Sequence, residues 1–281
     1  MTTRQPAVAG SFYPADPAQL RAILDRCEAQ RATADWPPPK ALIAPHAGYV
    51  YSGPVAASAY APVAALAGRV DTVILLGPSH HFAFEGFAVP AAGVWSTPLG
   101  PVAIDREQVD LLGRRRDVIV SDAVHAREHS LEVHLPFLQR ALGSFRLVPV
   151  AVGQISPAAG ADLLAAVWGG DETLVVVSTD LSHFLPQDAA ERVDRETTTY
   201  IESLDADAVV RADACGRYPV AALIALARER HMRLQTVDLR TSADTAGGPD
   251  RVVGYGSYLL WPKLVRPKDG RATANSTEEP S

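Results

Sequence analysis

The chain has 281 residues, of which 47% are hydrophobic, and 26 Lys plus Arg stand against 32 acidic residues for a net charge of −6. That composition supports a sizeable core and argues against a nucleic-acid surface, because the densest basic stretch is only Arg114-Arg115-Arg116. Two cysteines without framework spacing, Cys27 and Cys215, argue against a disulfide scaffold. With no apolar leader and no run of membrane-spanning length, they predict a cytoplasmic protein without a membrane segment.

Residues 4–14 read as an extended arm, and Asp16-Pro17-Ala18-Gln19 opens a helix with Leu20, Ile23, Leu24 and Cys27 on its buried stripe. A strand is expected over 40–45 and an Ala-rich helix over 54–65. The run at 71–77 is short and β-branched, so it reads as a strand buried on both faces. Residues 82–104 are expected to give a short strand at 87–90 and a loop over the site. A helix (105–115) and a strand near Val118 precede a helix that runs to about Leu142. A strand beginning at Phe145, a helix (157–168) and a strand (173–179) continue the alternation. Helices over 188–203, 205–212 and 219–230 come next, then two strands, the last an antiparallel addition. The alternation predicts an α/β three-layer sandwich with helices on both faces, occupying 1–262 as a single domain. The apolar-poor tail, 263–281, is expected to be disordered.

Three expected strands end in residues that carry chemistry. One runs into His46, one into Ser79-His80-His81, and one into Asp180 and His183. Ligands of open α/β sheets bind outside the carboxyl ends of the strands, so this edge predicts a metal or acid–base site. Of the adjacent His80 and His81, one is expected to bind and the other to pack. Ser79 lacks the G-x-S-x-G context of a nucleophile. Asp180 is either a helix N-cap or a carboxylate that orients His183 three residues on. His134 falls on the stripe of Leu131, Leu135 and Leu138 and reads as a core histidine bonded by Glu132 or Asp122, whereas His129 is free to reach the cleft. Cys215, ahead of a helix and two residues from Arg217, is expected to have a lowered pKa. Two imidazoles with an anionic ligand, Cys215 or Asp180, suit non-haem Fe(II), and zinc accepts the same donors. Tyr49, Tyr51, Phe82, Phe84, Trp95 and Tyr218 are available to stack on a small aromatic molecule or a peptide, or to pack as a lid.

Five motifs in order, P-H-A-G-Y, L-G-P-S-H-H, E-H-S-L-E-V-H-L-P, S-T-D-L-S-H and A-C-G-R-Y-P, resemble the Memo family (mediator of ErbB2-driven cell motility) over roughly 4–261. Its prokaryotic members are called AmmeMemoRadiSam system protein B. The family is similar in fold to the extradiol ring-cleaving dioxygenases of non-haem iron, which implies a Memo-like sandwich with a mostly parallel central sheet. The resemblance implies His46, His80 and Cys215 as metal ligands, His183 as an acid–base group supported by Asp180, and His129 on the substrate side. It also implies an oxidoreductase-like protein of Fe(II) or Cu, with AMMECR1-like and radical-SAM proteins as partners. The alternatives are a zinc hydrolase and a non-catalytic binding protein on the same scaffold. A cysteine stands where the dioxygenases place a carboxylate, so ring cleavage does not follow.

Overall fold

In the computed structural model, which describes residues 2–263, strands and helices alternate along the chain. A two-residue strand β1 (Thr3–Arg4) precedes α1 (Pro17–Ala29), β2 (Ala41–Ala44) and α2 (Tyr49–Tyr60). Next come β3 (Thr72–Pro78), β4 (Phe87–Val89), β5 (Val94–Thr97), β6 (Gly100–Ile104), α3 (Arg106–Leu112) and β7 (Val118–Val120). They are followed by α4 (Asp122–Ala126), α5 (Leu135–Leu142), β8 (Arg146–Val152), α6 (Pro157–Val167), β9 (Thr173–Ser178) and β10 (His183–Leu185). The order ends with α7 (Gln187–Glu202), α8 (Ala206–Arg211), α9 (Arg217–Glu229), β11 (Arg233–Thr241) and β12 (Val252–Trp261). The tail expected after Lys263 lies outside the described residues.

One sheet runs β1-β5-β6-β8-β3-β9-β2-β12-β10, with β11 on β12 and β4 joining β8 to β7. Its centre, β8-β3-β9-β2, is parallel throughout, and β12 adds antiparallel to β2 as the sequence predicts. Every residue of β2, β3 and β9 is buried, so helices cover both faces, as a parallel sheet of apolar runs requires. One helical group, α1, α2 and α5, packs through α2 on β2 and β12, and a second, α6, α8 and α9, packs through α9 on β3 and β9. This is a three-layer α/β sandwich with a mostly parallel central sheet. Among the described residues no helix is long and apolar enough to cross a membrane.

Three stretches depart from the sequence reading. The Ala-rich helix starts at Tyr49 and carries Pro54 inside it, which leaves the carbonyl of Val50, at an exposed position, without its helical donor. Most of 82–104 is not a loop over the site. β5 and β6 form a hairpin, and β6 pairs with Arg146 and Leu147 at the start of β8, the end of the sheet away from the strand termini described below. The expected continuous helix to Leu142 is instead a single 3₁₀ turn, Glu132–His134, followed by α5, with Pro136 in its first turn where a missing N–H costs nothing.

Candidate metal centre

β3, β9 and β2 are parallel neighbours, so their carboxyl ends meet at one edge. Two residues past each end stand His80, Asp180 and His46. The fourth contributor comes from the turn before α9, where Gly216 lets the chain press against β9. A Cβ on Gly216 would lie 2.3 Å from the Ser178 carbonyl and 2.6 Å from the Thr179 Cβ. That approach seats Cys215 beside Asp180, whose amide donates to Sγ at 3.2 Å.

Ligating atoms of His46, His80 and Cys215 all lie within 4.8 Å of one another. Sγ is 3.3 Å from His46 Nε2. The other nitrogen of each ring is already engaged. His46 Nδ1 meets Ser178 Oγ at 2.6 Å, and His80 Nδ1 donates to Glu128 Oε1 at 2.9 Å. Glu128 is fully buried and also accepts from the amides of His80 (2.6 Å) and Ser130 (2.9 Å). Against the cost of its burial, these donors hold its carboxyl down at about 2. A carboxylate behind a ligating imidazole fixes the ring and raises its basicity. Two imidazoles and a thiol at this spacing fit a transition metal of borderline or soft character.

The Cys215 thiol departs from expectation. Burial, then the neighbouring Asp180, push its pKa up rather than down, outweighing the hydrogen bonds from the Asp180 amide, Thr179 and Gly216. A cation between the donors would reverse that balance, because a coordinating thiol is deprotonated outright.

Asp180 does not hydrogen-bond His183. Its Oδ1 accepts from the His46 amide at 2.7 Å and its Oδ2 lies 4.0 Å from His46 Nε2, while burial lifts its pKa to about 7. His183, half-buried on β10, is held down chiefly by burial, with Asp213 as the opposing acidic neighbour. His129 does reach the cleft, its ring stacked on His80 with centroids 4.5 Å apart and 5.5 Å from that of His46. His81 is exposed. Ser79 Oγ donates to the Phe82 carbonyl. A cavity of about 520 Å³ opens beside Cys215, lined among others by Phe82, Phe84, Gln154, Arg217 and Tyr218. Tyr49 and Trp95 are buried away from it, Tyr49 donating to the Val133 carbonyl and Trp95 lying under the Arg4 guanidinium.

Burial holds several imidazoles neutral. His125 and His129 are pushed down to about 4, His134 to about 3, and His46 well below its ordinary range. Unfolded histidines titrate near about 6.5, so the stability these four contribute is whole above that value and is lost as pH falls toward about 4. Asp180 and Asp194 act oppositely. Burial raises them to about 7 and about 6, so their contribution is whole at low pH and is lost as pH rises through those values. Four groups outweigh two. The metal-free protein should therefore show a lower urea midpoint at about pH 5 than at about pH 7. An equal or higher midpoint at the acid value would contradict this.

Sequence reasoning assigned no role to Glu128, Ser130 or Ser178. Only the E-H dipeptide at 128–129 hinted at the first, and a serine at a strand end carries no signal of its own. His134 is a core histidine as expected, but its partners are Tyr60 OH and Ser178 Oγ, both at 2.8 Å, and not Glu132 or Asp122.

Comparison with known proteins bears on most of the chain. The family described as Memo-like protein matches residues 4–259. The MEMO1 family protein MK0963 of Methanopyrus kandleri is 37% identical, over 92% of this chain and 98% of its own length. The MEMO1 family protein MTH_45 of Methanothermobacter thermautotrophicus is 38% identical, over 90% and 98%. A solved structure, the uncharacterized protein JW3007 from Escherichia coli K12, aligns with a TM-score of 0.49 at 12% identity, covering 76% of this chain and 98% of that one. On the family match and the extent of these identities, the chain belongs to the Memo-like protein family.

Proposed function

We propose that this protein holds iron or copper between His46, His80 and Cys215 and works as an oxidoreductase-like member of its family. The observation that carries this reading is the convergence of three donors from separate segments within 4.8 Å, each imidazole backed by its own hydrogen-bond partner. Such a metal supplies redox chemistry when bound. The chain's own groups supply the rest. His129, stacked on His80, and His183, on β10, are the imidazoles we assign to proton exchange with a ligand in the cleft. Asp180, which accepts from the His46 amide and is raised to about 7 by burial in the metal-free chain, supports this proton transfer beside His46. The cavity beside Cys215, with Tyr218 and Phe82 in its wall, suits a flat or aromatic ligand.

The thiolate sets this centre apart from one completed by a carboxylate. It is softer and itself oxidisable, which favours copper or iron redox chemistry over ring cleavage. Anaerobic reconstitution with Fe(II), Cu(I) and Zn(II) in competition tests the reading. Iron or copper should be retained at one ion per chain, and the loaded protein should consume oxygen with a reductant. Retention of zinc alone, with ester or amide turnover independent of oxygen, would replace this reading with a zinc hydrolase. Uptake of none of the three would leave a binding protein.

A further inference from the structure

We infer that Ser178 locks His46, and Glu128 held by the Ser130 amide locks His80, so that both imidazoles of the proposed metal centre keep one tautomer, with the proton on Nδ1 and the lone pair on Nε2. The inference rests on that metal reading for its purpose and on hydrogen-bond counting for its content.

A serine hydroxyl has one hydrogen to give and two lone pairs to receive with. Ser178 Oγ is fully buried and has three partners. The Ser130 carbonyl, at 2.7 Å, only accepts, so it takes the single hydrogen. Both remaining partners, His46 Nδ1 at 2.6 Å and His134 Nε2 at 2.8 Å, must then bring their own. His134 satisfies this as a neutral ring, since its Nδ1 accepts from Tyr60 OH at 2.8 Å. His46 is left with Nδ1–H and an unprotonated Nε2 turned to Cys215, 3.3 Å away. Reversing the Ser178 hydrogen would leave the buried Ser130 carbonyl without that donor.

For the second ring the acceptor is the Glu128 carboxylate, which has no hydrogen to give, and Ser130 holds that carboxylate in place. Its amide donates to Glu128 Oε1 at 2.9 Å, the same oxygen that takes the His80 Nδ1 hydrogen, and its hydroxyl donates to the Pro78 carbonyl at 2.8 Å. One residue thus ties the support of His46 to that of His80. Gly77 makes room for it. A Cβ there would meet Ser130 Oγ at 2.8 Å, a Leu131 methyl at 2.9 Å and the Ser178 Cβ at 3.2 Å. The glycine of G-P-S-H-H is therefore required by packing between the two serines. A neutral imidazole free in water prefers its proton on Nε2, where it would occupy the position a metal needs. Ser178 and Glu128, joined through Ser130, reverse that preference before any metal arrives.

The test is long-range proton–nitrogen NMR of the metal-free, histidine-labelled protein, with signals assigned by His46→Gln and His80→Gln. His46 and His80 should both appear as Nδ1–H tautomers. A wild-type His46 protonated on Nε2 overturns the inference without recourse to any variant. Ser178→Ala should release His46 into the Nε2–H form and weaken Fe(II) binding by ~10–100-fold, and Ser178→Thr, which keeps the hydroxyl, should restore both. An unchanged tautomer and affinity in Ser178→Ala would also overturn it. A locked wild-type tautomer in a protein that takes up no metal would sustain the lock and remove the metal reading instead.

Discussion

Cys215→Ala is expected to lower Fe(II) or Cu(I) affinity by at least ~100-fold while leaving the chain folded. Losing a group that merely supports a ligand costs ~10–100-fold, so losing the ligand itself should cost more. The thiol is also the sole anionic donor in the three-residue cluster, and soft thiolates favour the metals proposed here. Stability should fall only modestly. Gly216, which sets the close approach to Ser178 and Thr179, is untouched, and the loss is the sulfur partner of the Asp180 amide and of His46 Nε2, about 1–3 kcal/mol. Competition titration against a chelating dye and a thermal melt separate the two effects. Affinity within about threefold of the unaltered chain would remove Cys215 from the centre.

Glu132→Ala should have the largest effect on stability. The Glu132 carboxylate is fully buried and accepts from Arg4 Nη1 (2.7 Å), Tyr13 OH (2.6 Å) and the amides of Ala7 (2.7 Å) and Val8 (3.0 Å). Arg4 is nearly as buried, and its other nitrogens donate to the carbonyls of His125 and Glu128 at 2.7 Å each. Removing the carboxylate strands a guanidinium inside the protein, a loss of about 3–5 kcal/mol. For a domain of this size that lowers the melting temperature by on the order of 10 °C. Glu132→Gln keeps the shape and some acceptors, so its loss should be smaller. A shift of less than about 2 °C in the alanine variant would show that the N-terminal arm is not held by this ion pair.

The parts of the site carried by strand ends were legible because geometry there follows from pattern. An apolar run of fixed length that stops at Pro45, Pro78 or Thr179 places the following residues at the carboxyl edge. His46, His80 and Asp180 could be read that way. The arm at 4–14 and Glu132 could not, since a buried ion pair spanning 128 residues leaves no local periodicity. The expected partner of His134 failed for the same reason. Glu132 is close in sequence, but the 3₁₀ turn aims its carboxylate at the arm and leaves the imidazole facing Ser178 and Tyr60. The Cys215 thiol was misjudged because the helix N-terminus is visible in sequence, while its burial and the placing of Asp180 are tertiary facts.

The most direct measurement is X-ray absorption at the iron edge of the Fe(II)-loaded chain, paired with Cys215→Ser. One sulfur and two imidazole nitrogens should be bonded to the iron, with the sulfur signal gone in the serine variant. Iron surrounded only by nitrogen and oxygen in the unaltered chain would contradict the proposed centre.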